Sequence, residues 1–149
     1  MNDLTSKIKD RIKGEVVLVG IGNPMRGDDG FGPKLIAALR GRTKAAVFDC
    51  GTAPENYIIP ILNSSPGTVI LLGAEDFKAY PGDVEVFGTD RIRDVPRLIV
   101  DLFRTGDSNL NIFMVAMQPK DTSFGAVLSE ETKTGIEKLQ RIFVKLLCQ

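Results

Sequence analysis

The sequence predicts a three-layer α/β/α sandwich built on a mostly parallel, mixed sheet of about five strands. Three observations predict it. Apolar strand-like runs alternate with amphipathic helical stretches along most of the chain, the order expected of βα units. The runs Val16–Ile21 and Thr68–Leu72 are apolar on both faces, as in a sheet covered on both sides. Finally, 149 residues with 43% apolar and 26% charged side chains suit one domain that buries an ordinary core. The expected division is a basic N-terminal arm over 1–13 and a single domain over 14–149.

The elements follow in order. Residues 1–13 interleave Lys7, Lys9, Arg11 and Lys13 with Leu4, Ile8 and Ile12, a short basic amphipathic arm best read as a frayed end. Glu15–Ile21 is the first buried strand, and Gly22–Asp29 a loop. Phe31–Arg40 is a helix, with Pro33 in its first turn, Leu35, Ile36 and Leu39 on one face, and Gly41 as its stop. Ala45–Phe48 is a second strand, Pro54–Leu62 a weaker helical segment, and Thr68–Leu72 a third strand. Pro81-Gly82 signals a turn before a half-buried strand over Val84–Phe87, a candidate antiparallel edge. Val95, Leu98, Ile99, Leu102 and Phe103 have helical spacing, with Pro96 in the first turn and Gly106 at the end. A strand over Leu110–Met117 and a final helix complete the order. That helix is capped by Ser129, carries Glu130 and Glu131 in its first turn, and has its apolar face from Ile136 to Leu147.

Composition narrows the chemistry. Lys+Arg and Asp+Glu both number 19, so no global field favours nucleic acid or an anionic membrane. No apolar run approaches the roughly 20 residues of a membrane span. Cys50 and Cys148 are far apart and form no disulfide framework or Cys-x-x-Cys metal site, so a cytoplasmic location is expected. Histidine is absent. That excludes a Ser-His-Asp triad, a Cys-His pair and any imidazole metal ligand. Acid–base work or metal contact falls to carboxylates, with Cys, Lys or Tyr as lesser options.

Sites in such folds form where strands end. Four loops qualify, over 22–30, 49–55, 73–76 and 118–125. They bring Asp28, Asp29, Asp49, Glu55, Glu75 and Asp76 to one rim, where like charges raise one another's pKa unless a cation sits among them. The bland alternative is caps and solvated turns, to which Asp is suited. Gly20-Ile-Gly22 begins like a dinucleotide fingerprint, but the third glycine is misplaced, and two aspartates at the helix entrance oppose a phosphate. A receiver-type phosphate-accepting site also fails, because the third strand ends in Gly73-Ala74.

The segment Val19-Gly-Ile-Gly-Asn-Pro-Met-Arg-Gly-Asp-Asp-Gly-Phe-Gly-Pro33 resembles the opening signature of the hydrogenase-maturation endopeptidases. Asp49-Cys-Gly-Thr-Ala-Pro-Glu55 is similar to their second signature, and Tyr80-Pro-Gly-Asp83 and Met117-Gln-Pro-Lys120 fit later ones. The likeness is collinear from Glu15 to Leu147. It implies a phosphorylase/hydrolase-like sandwich and an endopeptidase. Its substrate would be the large-subunit precursor of a nickel-iron hydrogenase, which loses its C-terminal extension after nickel insertion. It implies no intrinsic cofactor, recognition of the precursor's own nickel, and a monomeric enzyme.

Family recognition of nickel uses two acids and a histidine. The first acid falls on Asp29, which the resemblance makes the catalytic and metal-contacting carboxylate. At the second place this chain has Gly73, and the nearest register of the histidine gives Arg93, a side chain that repels a cation. Glu75, Asp76 or Asp94 could substitute from a displaced position, and Asp76 is taken as the second metal contact. Asn23, Asp49 and Glu55 are expected to hold the substrate peptide. The alternative expectation is a non-catalytic homologue that binds a precursor or another protein without cutting it.

Overall fold

A computed structural model of the chain describes residues 3–148. The apolar runs become strands β1 (Val16–Ile21), β2 (Ala46–Gly51), β3 (Thr68–Ala74), β4 (Val84–Phe87) and β5 (Asn111–Met117). They form one five-stranded sheet in the order β2-β1-β3-β5-β4. All pairings are parallel except β4 with β5, which is antiparallel at the edge. The α-helices of the described residues are α1 (Asp3–Lys9), α2 (Phe31–Leu39), α3 (Ile58–Asn63), α4 (Asp94–Gly106) and α5 (Glu130–Leu146). No described helix is long and apolar enough to cross a membrane.

Strand alternation sorts the core into two layers. Leu18, Ile70, Leu72, Phe113 and Val115 pack with Phe31, Leu35 and Leu39 of α2 and Leu139 and Phe143 of α5. Val17, Val19, Val69, Leu71, Ile112 and Met114 pack with Ile58 and Ile61 of α3 and Ile99, Val100 and Phe103 of α4. The sandwich predicted from unbroken apolar strands is therefore present, with helices on both faces.

Two local expectations are corrected. Residues 3–13 are not a frayed end. Ile8 of α1 is fully buried in the α2/α5 layer, with Leu4 and Ile12 packed against it. The Lys13 backbone is held on both sides by Thr68, whose hydroxyl donates to the Lys13 carbonyl at 2.6 Å and accepts from its N–H at 2.8 Å. Five charged or polar positions in α1 hid a helix whose one buried residue is Ile8. Ile8→Ala should therefore lower stability by about 2 to 4 kcal/mol, as for other large-to-small core changes. A urea midpoint that did not move would show the helix to be superficial. The second correction is that β2 and β3 continue past Phe48 and Leu72, so Asp49 and Gly73 lie on strands and not in loops.

The loop after β1 approaches the sheet closely. Gly32, at the start of α2, lies against the Leu72 and Ile21 carbonyls, where any Cβ would collide with backbone. Gly22 has φ +139° and lies against the Asp29 carbonyl, so both its conformation and its space demand glycine. These contacts draw a 3-10 turn, Gly27–Gly30, across the carboxyl ends of β1 and β3.

Candidate active site

The chain leaves β1 towards β2 on one side, and it leaves β3 towards β4 on the other. A crevice opens between their carboxyl ends, where open α/β sheets commonly place ligands. It is a cavity of about 260 Å³, lined by Ile21 at the end of β1 with Gly22 and Asp29 beyond it, Gly51 at the end of β2 with Thr52 and Pro54 beyond it, Gly73 and Ala74 at the end of β3 with Glu75 just beyond it, and Val95 and Pro96 of α4.

Asp29 is half-buried in this cavity, and its Oδ2 accepts the Asn23 N–H at 2.8 Å. Asn23 serves the loop: its Oδ1 accepts the Met25 N–H at 2.9 Å, an Asx turn that holds the segment before Asp29.

Glu75 is the second carboxyl at the cavity. On β3 the α4-facing positions are Val69 and Leu71; two further steps of two reach Gly73 and Glu75. The ladder keeps this phase because the Glu75 N–H donates to the Met117 carbonyl at 3.0 Å. Burial pushes the Glu75 carboxyl up, and the neighbouring Asp94 and Asp29 charges add to it, to about 7. A carboxyl titrating there can accept or release a proton at neutral pH. Asp94 stands at the start of α4 with φ +57°, a conformation uncommon for residues other than glycine, although Asp tolerates it.

Asp76 has the opposite phase and does not line the cavity. Its carboxylate accepts the Lys78 N–H and the Gln118 Nε2–H at 3.1 Å each, and pairs with the Lys78 ammonium at 3.2 Å. Those bonds, the Lys78 amide first, hold its carboxyl below the usual carboxylate range. Gln118 is the buried organiser: its Oε1 also accepts the Phe77 N–H at 2.8 Å and the Ala79 N–H at 3.2 Å. Glu75 and Asp76 do share the adjoining surface depression, which Arg93 and Asp94 also line.

Asp49 and Glu55 are exposed and do not line the cavity, although Gly51, Thr52 and Pro54 between them do. Asp49 alternates with Cys50, whose side chain belongs to the α3/α4 layer, so Asp49 takes the other face. Its Oδ1 accepts the Gly51 N–H at 3.2 Å. Cys50 is buried, and burial with the Asp49 charge raises its thiol to about 12. It is not a nucleophile at neutral pH.

Asp28, next to Asp29, has a different task. It is fully buried, and its carboxylate accepts the Ser129 N–H at 2.8 Å, the Ser129 hydroxyl at 2.7 Å and the Lys120 N–H at 2.8 Å. Burial pushes its carboxyl up, but these bonds outweigh burial and leave it below the ordinary value. Asp28 thus ties the loop that carries Asp29 to the cap of α5 and the loop after β5.

Similarity to known proteins follows the same elements. No family model matches the chain. The Hydrogenase 3 maturation protease of Escherichia coli K12 is 36% identical over 81 residues, which is 53% of this chain and 52% of that protein. The matched stretch therefore spans about half the length of this curated relative. The nickel-iron hydrogenase maturation protease HycI of Thermococcus kodakarensis KOD1 has the same fold with TM-score 0.87 and 25% identity, over 97% of this chain and 100% of that one. The chain is therefore similar to hydrogenase-maturation proteases, in sequence over about half its length and in fold over nearly all of it. The solution structure of the endopeptidase HycI from Escherichia coli shares its fold at TM-score 0.80 and 24% identity, covering 88% of this chain and 90% of that one. The loop after β1 and the end of β3 meet in one cavity as Asp29 and Glu75, with Gly73 on the strand two residues before that acid.

Proposed function

We propose that this chain is an endopeptidase that removes the C-terminal extension from a nickel-iron hydrogenase large-subunit precursor after nickel has been inserted. The observation that carries the reading is the shared cavity of Asp29 and Glu75 at the β1/β3 crevice. Two oxygen donors on one cavity can contact a cation presented by the substrate, and imidazole is not required for that contact. Glu75 lies two residues beyond Gly73 on the same strand face, so it supplies from a displaced position the acid that glycine lacks. Among the described residues, no group of three or more His, Cys, Asp and Glu is placed to hold a metal ion. In this proposal the nickel is part of the substrate, with its remaining ligands supplied by the precursor.

In this reading Asp29, anchored by the Asn23 amide, fixes the nickel-bearing end of the precursor at the cavity. Glu75 gives up its proton as the cation arrives, because a nearby positive charge favours the ionised carboxyl. The nickel also places the scissile carbonyl where it is polarised for attack by water. The enzyme would act as a monomer in the cytoplasm.

Incubating the protein with purified nickel-loaded precursor and weighing the products tests this. The expected result is loss of a short C-terminal peptide from the nickel-loaded form only. No cleavage by this chain, under conditions where the Escherichia coli relative cuts its own precursor, would sink the reading. Binding without cleavage would then identify a non-catalytic homologue.

A further inference from the structure

Helix α4 is apolar on part of the face where a surface helix is ordinarily polar. Pro96, Ile99, Val100 and Phe103 are buried against the sheet, as amphipathic packing requires. Val95, Leu98 and Leu102 make a second apolar row at spacings of three and four, yet they are 55%, 62% and 40% exposed. Ile59, on the adjacent α3, is exposed as well. Single exposed apolar residues are ordinary, but a row along one helix extended by its neighbour marks a surface that is covered in use.

The row has a direction. Val95 itself lines the Asp29–Glu75 cavity, and Leu98 and Leu102 lead away from it along the helix. The cavity, at about 260 Å³, falls just below the usual range for a small-ligand site of roughly 300–1,000 Å³. It can take the bond to be cut but not the contact area of a folded substrate, which is about 800 Å² per partner in a standard interface. The charges beside Leu98 and Leu102 do not point outward unpaired on this stretch, since Arg97 and Asp101 pair with each other at 3.3 Å. The row therefore suits an apolar segment and not a strongly charged one.

We propose that Val95, Leu98 and Leu102 of α4, with Ile59 of α3, form the docking surface for the precursor, receiving an apolar segment next to the end that enters the cavity. This rests on the reading of the cavity as the processing site. Binding energy is then gained along α4, and the cavity acts only on a chain end that α4 already holds.

The test compares the wild type with Leu98→Glu, with the double variant Leu98→Glu/Leu102→Glu, and with Leu98→Met, in cleavage of nickel-loaded precursor. Both leucines are exposed, so the melting temperature should stay unchanged. The expected result is a KM raised about tenfold for the single variant and further for the double, with kcat within about twofold and Leu98→Met like the wild type. An unchanged KM in both Glu variants overturns the proposal. So does a wild-type dimer that the Glu variants dissociate without a change in KM, because the row then joins two copies of this chain. If the wild type cleaves nothing, the processing reading has failed separately, and binding of the same purified precursor decides the docking surface. Binding weakened about tenfold in the Glu variants supports it. Equal binding, or none by the wild type, overturns it.

Discussion

Asp29→Asn should reduce cleavage of nickel-loaded precursor by roughly 10²-fold or more, and Glu75→Gln should match it, the scale of loss when an aligned charged partner of a metal or transition state is removed. Asp76→Asn should cost much less, because that carboxylate is turned away from the cavity and engaged by Lys78 and Gln118. An Asp76→Asn loss as large as that of Glu75→Gln would make Asp76 the second contact instead. The Glu75 carboxyl near 7 adds a signature that a purely structural residue would lack. Protons compete with the cation for it, so binding of nickel-loaded precursor should weaken as pH falls below about 7, and Glu75→Gln should abolish that dependence. Stability runs the other way. A carboxyl whose folded pKa is raised favours the folded state at low pH, and that advantage is lost as pH rises from its unfolded value towards 7. At pH 8, Glu75→Gln should therefore be more stable than the wild type by about 1 to 2 kcal/mol, the full shift being reduced by partial solvation. One substitution should thus impair the proposed cleavage and stabilise the fold, the second effect being checked by thermal melts at pH 5 and pH 8.

Asp28→Ala should be the most damaging single change to stability, at about 3 to 5 kcal/mol. It leaves two backbone N–H groups and a hydroxyl without their charged acceptor, and hydrogen bonds to charged groups are each worth about 1.5–3 kcal/mol, less than additively. The loop carrying Asp29 would also lose its tie to α5, so activity should fall with stability. The pH dependence has the sign opposite to that of Glu75. The Asp28 carboxyl lies below its unfolded value, so its contribution is complete above about pH 4 to 5 and disappears as pH falls through the lower folded value. Urea midpoints taken between pH 6 and pH 3 should fall more steeply for the wild type than for Asp28→Asn. Parallel curves would show that Asp28 is not the acid-labile tie.

These two aspartates adjoin in sequence and have the same chemistry, yet one is a tie and the other faces the cavity. Nothing in Gly27-Asp28-Asp29-Gly30 distinguishes them. The difference comes from Ser129 and Lys120, about 100 and 92 residues away, whose amides reach Asp28 only when α5 and the loop after β5 are in place. The same holds for α1, where the sequence shows a basic arm and only the Thr68 hydroxyl and the pocket around Ile8 make it part of the core.

The sandwich, its mostly parallel sheet and the antiparallel edge at Val84–Phe87 were legible because burial on both faces leaves unbroken apolar runs, and helix packing leaves a period near 3.6. The Ser129 cap was legible for a local reason: its Oγ accepts the Thr132 N–H at 3.2 Å within one turn. The opening glycine-rich segment was legible as the place where backbone, turn and carboxylate converge. What the sequence by itself determined is thus the class of fold, the cap, and an acidic pair, Asp28-Asp29, in the loop after the first strand. Only the tertiary structure decided that Glu75 and not Asp76 lines the cavity with Asp29. A fully apolar strand such as Thr68–Leu72 does not show which of its faces meets α4, and one residue of phase sends a side chain to the opposite side of the sheet.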